Sequence, residues 1–166
     1  MNYWCKCDYR LNNSAAVNKV QWLAYSEKEW EDIKKLKNID PCYVPFPNFD
    51  VWRCPKCERF YAFKNNHVVK YYVLHDIGEL GENGRFVGYD CKCGNKLDTP
   101  SAKARWIVYS DPEWIAWLES VEDIIDFVNI QPPSIDVWSC SKCERVYVFK
   151  ENKLIKYYVS HDLQEL

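Results

Sequence analysis

One methionine, three histidines and five glycines are all that 166 residues contain of these types, and each scarcity excludes something. The glycines form no phosphate-cradling loop, no G-x-S-x-G elbow is present, and no Cys–His dyad suggests a nucleophile. The chain is therefore expected not to be an enzyme. Charge of one sign is also lacking. Lys plus Arg is 22 and Asp plus Glu is 24, a formal net charge of −2. Such a balance gives no general pull toward phosphates and argues against a protein whose main task is gripping DNA. No apolar run approaches the roughly 18 residues of a membrane-spanning helix. The start, Met1 to Cys7, shows no apolar signal region, so a cytoplasmic protein with no membrane partner is expected.

Aromatics and cysteines, in contrast, are abundant. Eight Trp, twelve Tyr and seven Phe within a 48% hydrophobic composition mark a folded, core-rich chain. Nine cysteines in a reducing compartment point to metal ligands rather than disulfides, and the odd count leaves at least one outside any paired scheme.

The chain is one unit written twice. Residues 50–80 return at 136–166 with an offset of 86 and 20 identities in 31 positions. Cys5 and Cys7 return as Cys91 and Cys93 at the same offset, while Trp22–Trp30 returns as Trp106–Trp114 at 84. The expected organisation is unit 1 over residues 1–80, a linker over 81–90 and unit 2 over 91–166. Within each unit, Val20–Tyr25 and Arg105–Tyr109 read as short strands. Ser26 with Glu29, and Ser110 with Glu113, have the spacing of a capping box and should start helices. In the second helix Trp114, Trp117, Leu118, Val121, Ile124, Ile125 and Val128 share a face at 3.6-residue spacing. After the C-x-x-C pairs, Arg59–Phe63 with Val68–Val73, and Arg145–Phe149 with Leu154–Val159, read as hairpins.

Setting Cys42 aside as a free thiol leaves two identical sets: Cys5, Cys7, Cys54 and Cys57, then Cys91, Cys93, Cys140 and Cys143. Each is C-x-C, 46 residues, then C-x-x-C. Four thiolates suit tetrahedral zinc, and the same four sulfurs also bind iron. Two structural Zn²⁺ ions are the expected cofactors, with Fe as the alternative. With four cysteines no position stays open for water or substrate, so the metal would be structural.

These knuckles, and the hairpin after each C-x-x-C, resemble the zinc-ribbon and rubredoxin-like group. The resemblance implies an α+β fold of two tandem zinc-ribbon-like units, each with a short antiparallel sheet, one helix and a four-cysteine metal site. The chain departs from that group in the C-x-C first knuckle and in the strand–helix insertion between knuckles.

Function must then come from what the copies do not share. His75-Asp76 and His161-Asp162 recur in both and read as capped strand ends. Unit 1 carries 12 basic and 10 acidic residues, unit 2 carries 9 and 12. From Asp111 to Asp126 there are six acids and no base, and Glu119, Glu122, Asp123 and Asp126 form a stripe opposite the apolar face. Such a block attracts a basic partner. The loop from Pro41 to Phe49 offers Tyr43, Phe46 and Phe49 as aromatic anchors that unit 2 lacks. On these features the chain looks like a bacterial immunity protein, which implies a non-enzymatic inhibitor masking a basic, nuclease-like toxin domain. Two alternatives stand beside it. Lys34, Lys35, Lys37, Lys56, Arg59 and Lys64 form a local basic patch suited to a nucleic-acid-associated zinc ribbon. An iron-loaded, rubredoxin-like electron carrier is the other.

Overall fold

The computed structural model describes residues 1–14, 18–36, 39–40, 43–80, 90–97, 105–121 and 130–163. In the first copy β1 (Asn2–Trp4) and β2 (Arg10–Asn12) make a small hairpin around the first knuckle, with Tyr3 opposite Leu11. Next come β3 (Gln21–Ser26), α1 (Glu27–Lys34), β4 (Asp50–Arg53), β5 (Phe60–Lys64) and β6 (His67–His75), then a 3-10 turn at Ile77–Leu80. The second copy supplies β7 (Arg105–Ser110), α2 (Asp111–Glu119), β8 (Asp136–Ser139), β9 (Val146–Lys150) and β10 (Lys153–His161). Its first knuckle is closed by a single bridge, Asp90 to Lys96.

The two copies do not form separate α+β zinc-ribbon units. β3 to β6 and β7 to β10 close into one eight-stranded antiparallel barrel, in the order β10-β6-β5-β4-β3-β7-β8-β9. The described residues are mostly β, with two short α-helices. Each copy alone would be a four-stranded half-barrel with β3 and β6 as unpaired edges, and unpaired edges seek partners. The joints are β3 with β7 and β6 with β10.

The strand sequences explain why closure wins. Phe60, Tyr61, Ala62 and Phe63 are apolar at successive positions, as are Val146 to Phe149, so both faces of these strands must be covered. On the outer face of β5, Tyr61 and Phe63 pack with Trp52, Leu11, Cys5 and Cys54 under the first knuckle. Tyr147 and Phe149 do the same with Leu97, Cys91 and Cys140 in the second copy. The inner face, including Ala24, Val51, Phe60, Tyr72 and their counterparts, meets only across the barrel. Asn65 and Asn66, and Glu151 and Asn152, all have positive φ between 50° and 64°. Those are the two central positions of the twisted two-residue turns that join β5 to β6 and β9 to β10.

A third layer covers the β3–β7 joint. Both capping boxes form. Ser26 Oγ accepts from the Glu29 amide at 3.3 Å and the Ser26 amide donates to Glu29 at 2.8 Å. Ser110 and Glu113 repeat this at 3.4 and 2.9 Å. The helices so started bury Trp30, Ile33, Trp114 and Trp117 against Leu23, Tyr25, Ile107 and Tyr109. Contacts cross between copies reciprocally: Tyr25 meets Trp114 with ring centres 5.9 Å apart, and Trp30 meets Tyr109 at 5.7 Å. Ser120 caps α2, so the single apolar face expected from Trp114 to Val128 is interrupted there. Ile124, Ile125 and Val128 lie outside the described residues.

Candidate functional site

Local backbone geometry prepares each cysteine cluster. The Cys54 amide donates to the Arg59 carbonyl at 2.8 Å and the Glu58 amide donates back to Cys54 at 2.9 Å. Cys140, Arg145 and Glu144 repeat both bonds at 2.8 Å. This tight loop puts Glu58 and Glu144 at φ near 60° and turns both sulfurs of the pair to one side. The C-x-C knuckles close similarly, with Asp8 at φ 60° and Gly94 at φ 80° in corresponding positions. Glycine takes that conformation freely, and aspartate tolerates it better than most residues.

The eight cysteines named from the sequence come together as two clusters of four, the sulfurs of each lying within 4.8 Å of one another. Cys5 Sγ is 3.4 Å from Cys57 and 3.5 Å from Cys7, and Cys7 is 3.6 Å from Cys54. In the second cluster Cys91 is 3.3 Å from Cys143 and 3.4 Å from Cys93, with Cys93 3.6 Å from Cys140. A disulfide needs about 2.05 Å, so none of these is one. A tetrahedral ion with metal–sulfur bonds of about 2.3 Å sets its sulfurs roughly 3.8 Å apart. The clusters are close to that spacing and could each hold an ion.

The surroundings are arranged for negative charge. Tyr61 Oη lies 3.2 Å from Cys5 Sγ and accepts from the Lys6 amide at 3.3 Å. Tyr147 Oη takes the same place at 3.2 Å from Cys91, accepting from the Lys92 amide at 3.0 Å. The phenol is thus turned to donate to sulfur. Arg59 and Arg145 sit against Cys57 and Cys143. Burial works against the Arg59 charge, but contact with Cys57 prevails and raises its pKa. For Arg145 the bond to Cys143 is the leading cause of the same shift. Both arginine Nε atoms are buried with no hydrogen-bond acceptor among the described residues. Four thiolates around a divalent ion would carry a net charge of about −2, which these guanidinium groups are placed to offset. Without metal, burial opposes ionisation of Cys57 and Cys140. Hydrogen bonds from backbone amides and neighbouring thiols nevertheless bring Cys57 down to about 7 and Cys140 down to about 6. In the sequence the two tyrosines stand only as repeated aromatics, and their shared offset of 86 with the cysteines is the signal that could have singled them out.

The proposed contact residues fall elsewhere. Tyr43 and Phe46 are 77% and 78% exposed, while Phe49 is half-buried with Lys64 Nζ 5.9 Å from its ring centre. Their segment is pinned from beneath, by Tyr25 Oη donating to the Pro45 carbonyl at 3.1 Å and by the Asn48 amide donating to Glu29 at 2.8 Å. Of the acidic block, Glu119 is exposed at the end of α2, and Glu122, Asp123 and Asp126 lie outside the described residues, as does Cys42. Two other acids of that block are committed internally: Asp111 accepts from the Asn18 amide at 2.8 Å and Glu113 serves the capping box. In the basic patch, Lys34 and Lys35 pair with Glu31 and Asp32, and Lys56 donates to the Cys7 carbonyl. Lys37 lies outside the described residues. The His75 and His161 rings stack 6.3 Å apart, and Asp76 accepts from the Gly78 amide at 2.8 Å, capping the turn after β6. No helix among the described residues is long and apolar enough to cross a membrane.

A closed barrel assembled from two copies, each clasped by a tetracysteine cluster, defines a tandemly duplicated β protein with two candidate metal centres. The chain belongs to the family described as a domain of unknown function, DUF8617, whose model matches it twice, over residues 1–76 and 87–162. Comparison with curated proteins and with solved structures found no match.

Proposed function

We propose that this is a non-catalytic protein-binding module, with two structural Zn²⁺ ions fastening the knuckles to the barrel. Four cysteine ligands complete a zinc coordination sphere, which suits a structural metal and leaves no place for substrate. The observation that carries the binding role is the outward display of Tyr43 and Phe46. Large aromatics held outward by a hydrogen-bonded, proline-stiffened segment have little ordering entropy to lose on binding, and aromatic anchors dominate protein interfaces. A basic partner fits the acids of the Asp111 to Asp126 block other than the internally committed Asp111 and Glu113, namely Glu119, Glu122, Asp123 and Asp126, and masking of a toxin domain is the specific form this reading takes.

The test is recovery of the tagged, zinc-loaded protein from nuclease-treated extract of its host, beside a Tyr43→Ser/Phe46→Ser variant. One stoichiometric protein captured by the wild type and lost from the variant supports the reading, and its identity decides the toxin question. Capture of nucleic acid, or a red protein whose iron cycles reversibly, would replace this reading with one of its alternatives.

A further inference from the structure

The barrel has an inside that its own side chains leave unfilled. Alternate residues of all eight strands line one cavity of about 420 Å³. Barrels of eight strands are either packed solid by their interior residues or hold one small ligand. Here Ala24, Ala62 and Val108 stand where larger side chains would close the space. Trp22, Trp106 and Phe60 point inward yet stay only half-buried. The volume falls in the range of roughly 300–1,000 Å³ typical of small-molecule sites.

The lining is apolar except for a cluster of charges. Arg53, Lys70 and Lys156 face the cavity with one carboxylate, Glu144. Lys70 pairs with Glu144, and Lys156 pairs with Glu58, so these ion pairs tie one copy to the other. Arg53 also bonds Glu58, at 2.9 Å, and its guanidinium lies 5.8 Å from the Trp22 ring centre. Three cations against two carboxylates leave one surplus positive charge. The corresponding position in the second copy is Ser139, which accepts from the Trp106 indole at 2.8 Å. Arg53 therefore makes one end of an otherwise pseudo-symmetric cavity cationic.

We propose that the barrel interior is a binding site for one small apolar molecule with a single anionic group, an aromatic or aliphatic organic acid. Its body lies against Trp22, Trp106 and Phe60, and its anion lies at Arg53. Phe49, from the segment that carries Tyr43 and Phe46, also lines this cavity, whereas Tyr43 and Phe46 do not.

The experiment uses the zinc-loaded full chain and two fluorescent probes of like aromatic body. One is anionic, 1-anilinonaphthalene-8-sulfonate, and the other neutral, N-phenyl-1-naphthylamine. Each is expected to bind once per chain. Arg53→Ser should weaken the sulfonate about tenfold, the scale of one charge-assisted hydrogen bond, and the neutral probe less than about twofold. Filling the cavity with Ala24→Leu/Ala62→Phe should abolish both while zinc content and circular dichroism stay unchanged. No saturable binding of either probe overturns the proposal, as does binding that survives the filled cavity. Equal effects of Arg53→Ser on both probes overturn the assignment of the anion. If the filled variant does not fold, nuclear Overhauser contacts from probe to the Trp22 and Trp106 indoles of the wild type decide: their presence supports the site and their absence overturns it.

Discussion

Ala24 lies directly opposite Val108 in the ladder joining the two copies, and Val108 is Ala24's own counterpart. Val73 likewise lies opposite its counterpart Val159 in the other joint. A residue paired with its own equivalent marks a two-fold axis, so the barrel has the geometry of an isologous dimer written as one chain. Residues 1–80 alone, loaded with zinc, should therefore not persist as a folded monomer. Sedimentation is expected to give about twice the fragment mass, with β3 and β6 pairing to their own copies. A folded monomer would show that half a barrel can manage its edges.

Metal should be integral to the fold. Atomic emission is expected to find two zinc ions per chain. Cys54→Ser, which removes a fully buried ligand, should lower the content to one and cost several kcal/mol. Chelation of the wild type should abolish near-ultraviolet circular dichroism, because Trp52, Tyr61 and Tyr147 pack directly beneath the knuckles.

Tyr61 and Tyr147 should tune affinity without serving as ligands. Tyr61→Phe keeps the buried ring and removes only the hydroxyl beside Cys5. Loss of such an outer-shell partner typically weakens metal binding roughly 10- to 100-fold. Competition with a chromophoric chelator should show one site weakened in each single variant, and two in the double.

The capping glutamates carry a pH signature. Burial acts to raise the Glu29 pKa, but bonds from the Ser26 hydroxyl and the Asn48 and Ser26 amides outweigh it, so it falls below its usual 4.5. Glu113 shifts the same way, with Ser134 in place of Asn48. A carboxylate depressed in the folded state stabilises it above the unfolded pKa, and that stability is lost as pH falls through the folded pKa. Denaturation should therefore find Glu29→Gln less stable than wild type by about 1 kcal/mol at neutral pH. The difference should shrink as pH drops below 4.5.

Tyr43→Ser/Phe46→Ser should leave stability within about 0.5 kcal/mol of wild type, since exposed side chains forfeit little packing. A larger loss in thermal or chemical denaturation would mean these rings support their own domain.

The tetracysteine clusters are legible in the sequence because ligand spacing is short-range and written twice. The capping boxes are legible for the same reason. Barrel closure is not, although half of its signal is present. The runs Phe60 to Phe63 and Val146 to Phe149 announce strands covered on both faces. One sequence cannot say whether the second cover comes from within the unit or from its copy. That depends on which edges meet, a property of strand order rather than of residue pattern. The acidic block is legible only as composition. Asp111 and Glu113 count as free charge in the sequence, and the structure adds that each accepts a backbone hydrogen bond, from the amides of Asn18 and Ser110.

In a dimer of identical chains, any change at one end of the interior is made at the other as well. Carrying both halves on a single chain lifts that constraint, and Arg53 facing Ser139's end of the same cavity is the outcome. An occupant would therefore meet a head and a tail, entering in one polarity where a true dimer would offer two equivalent ones.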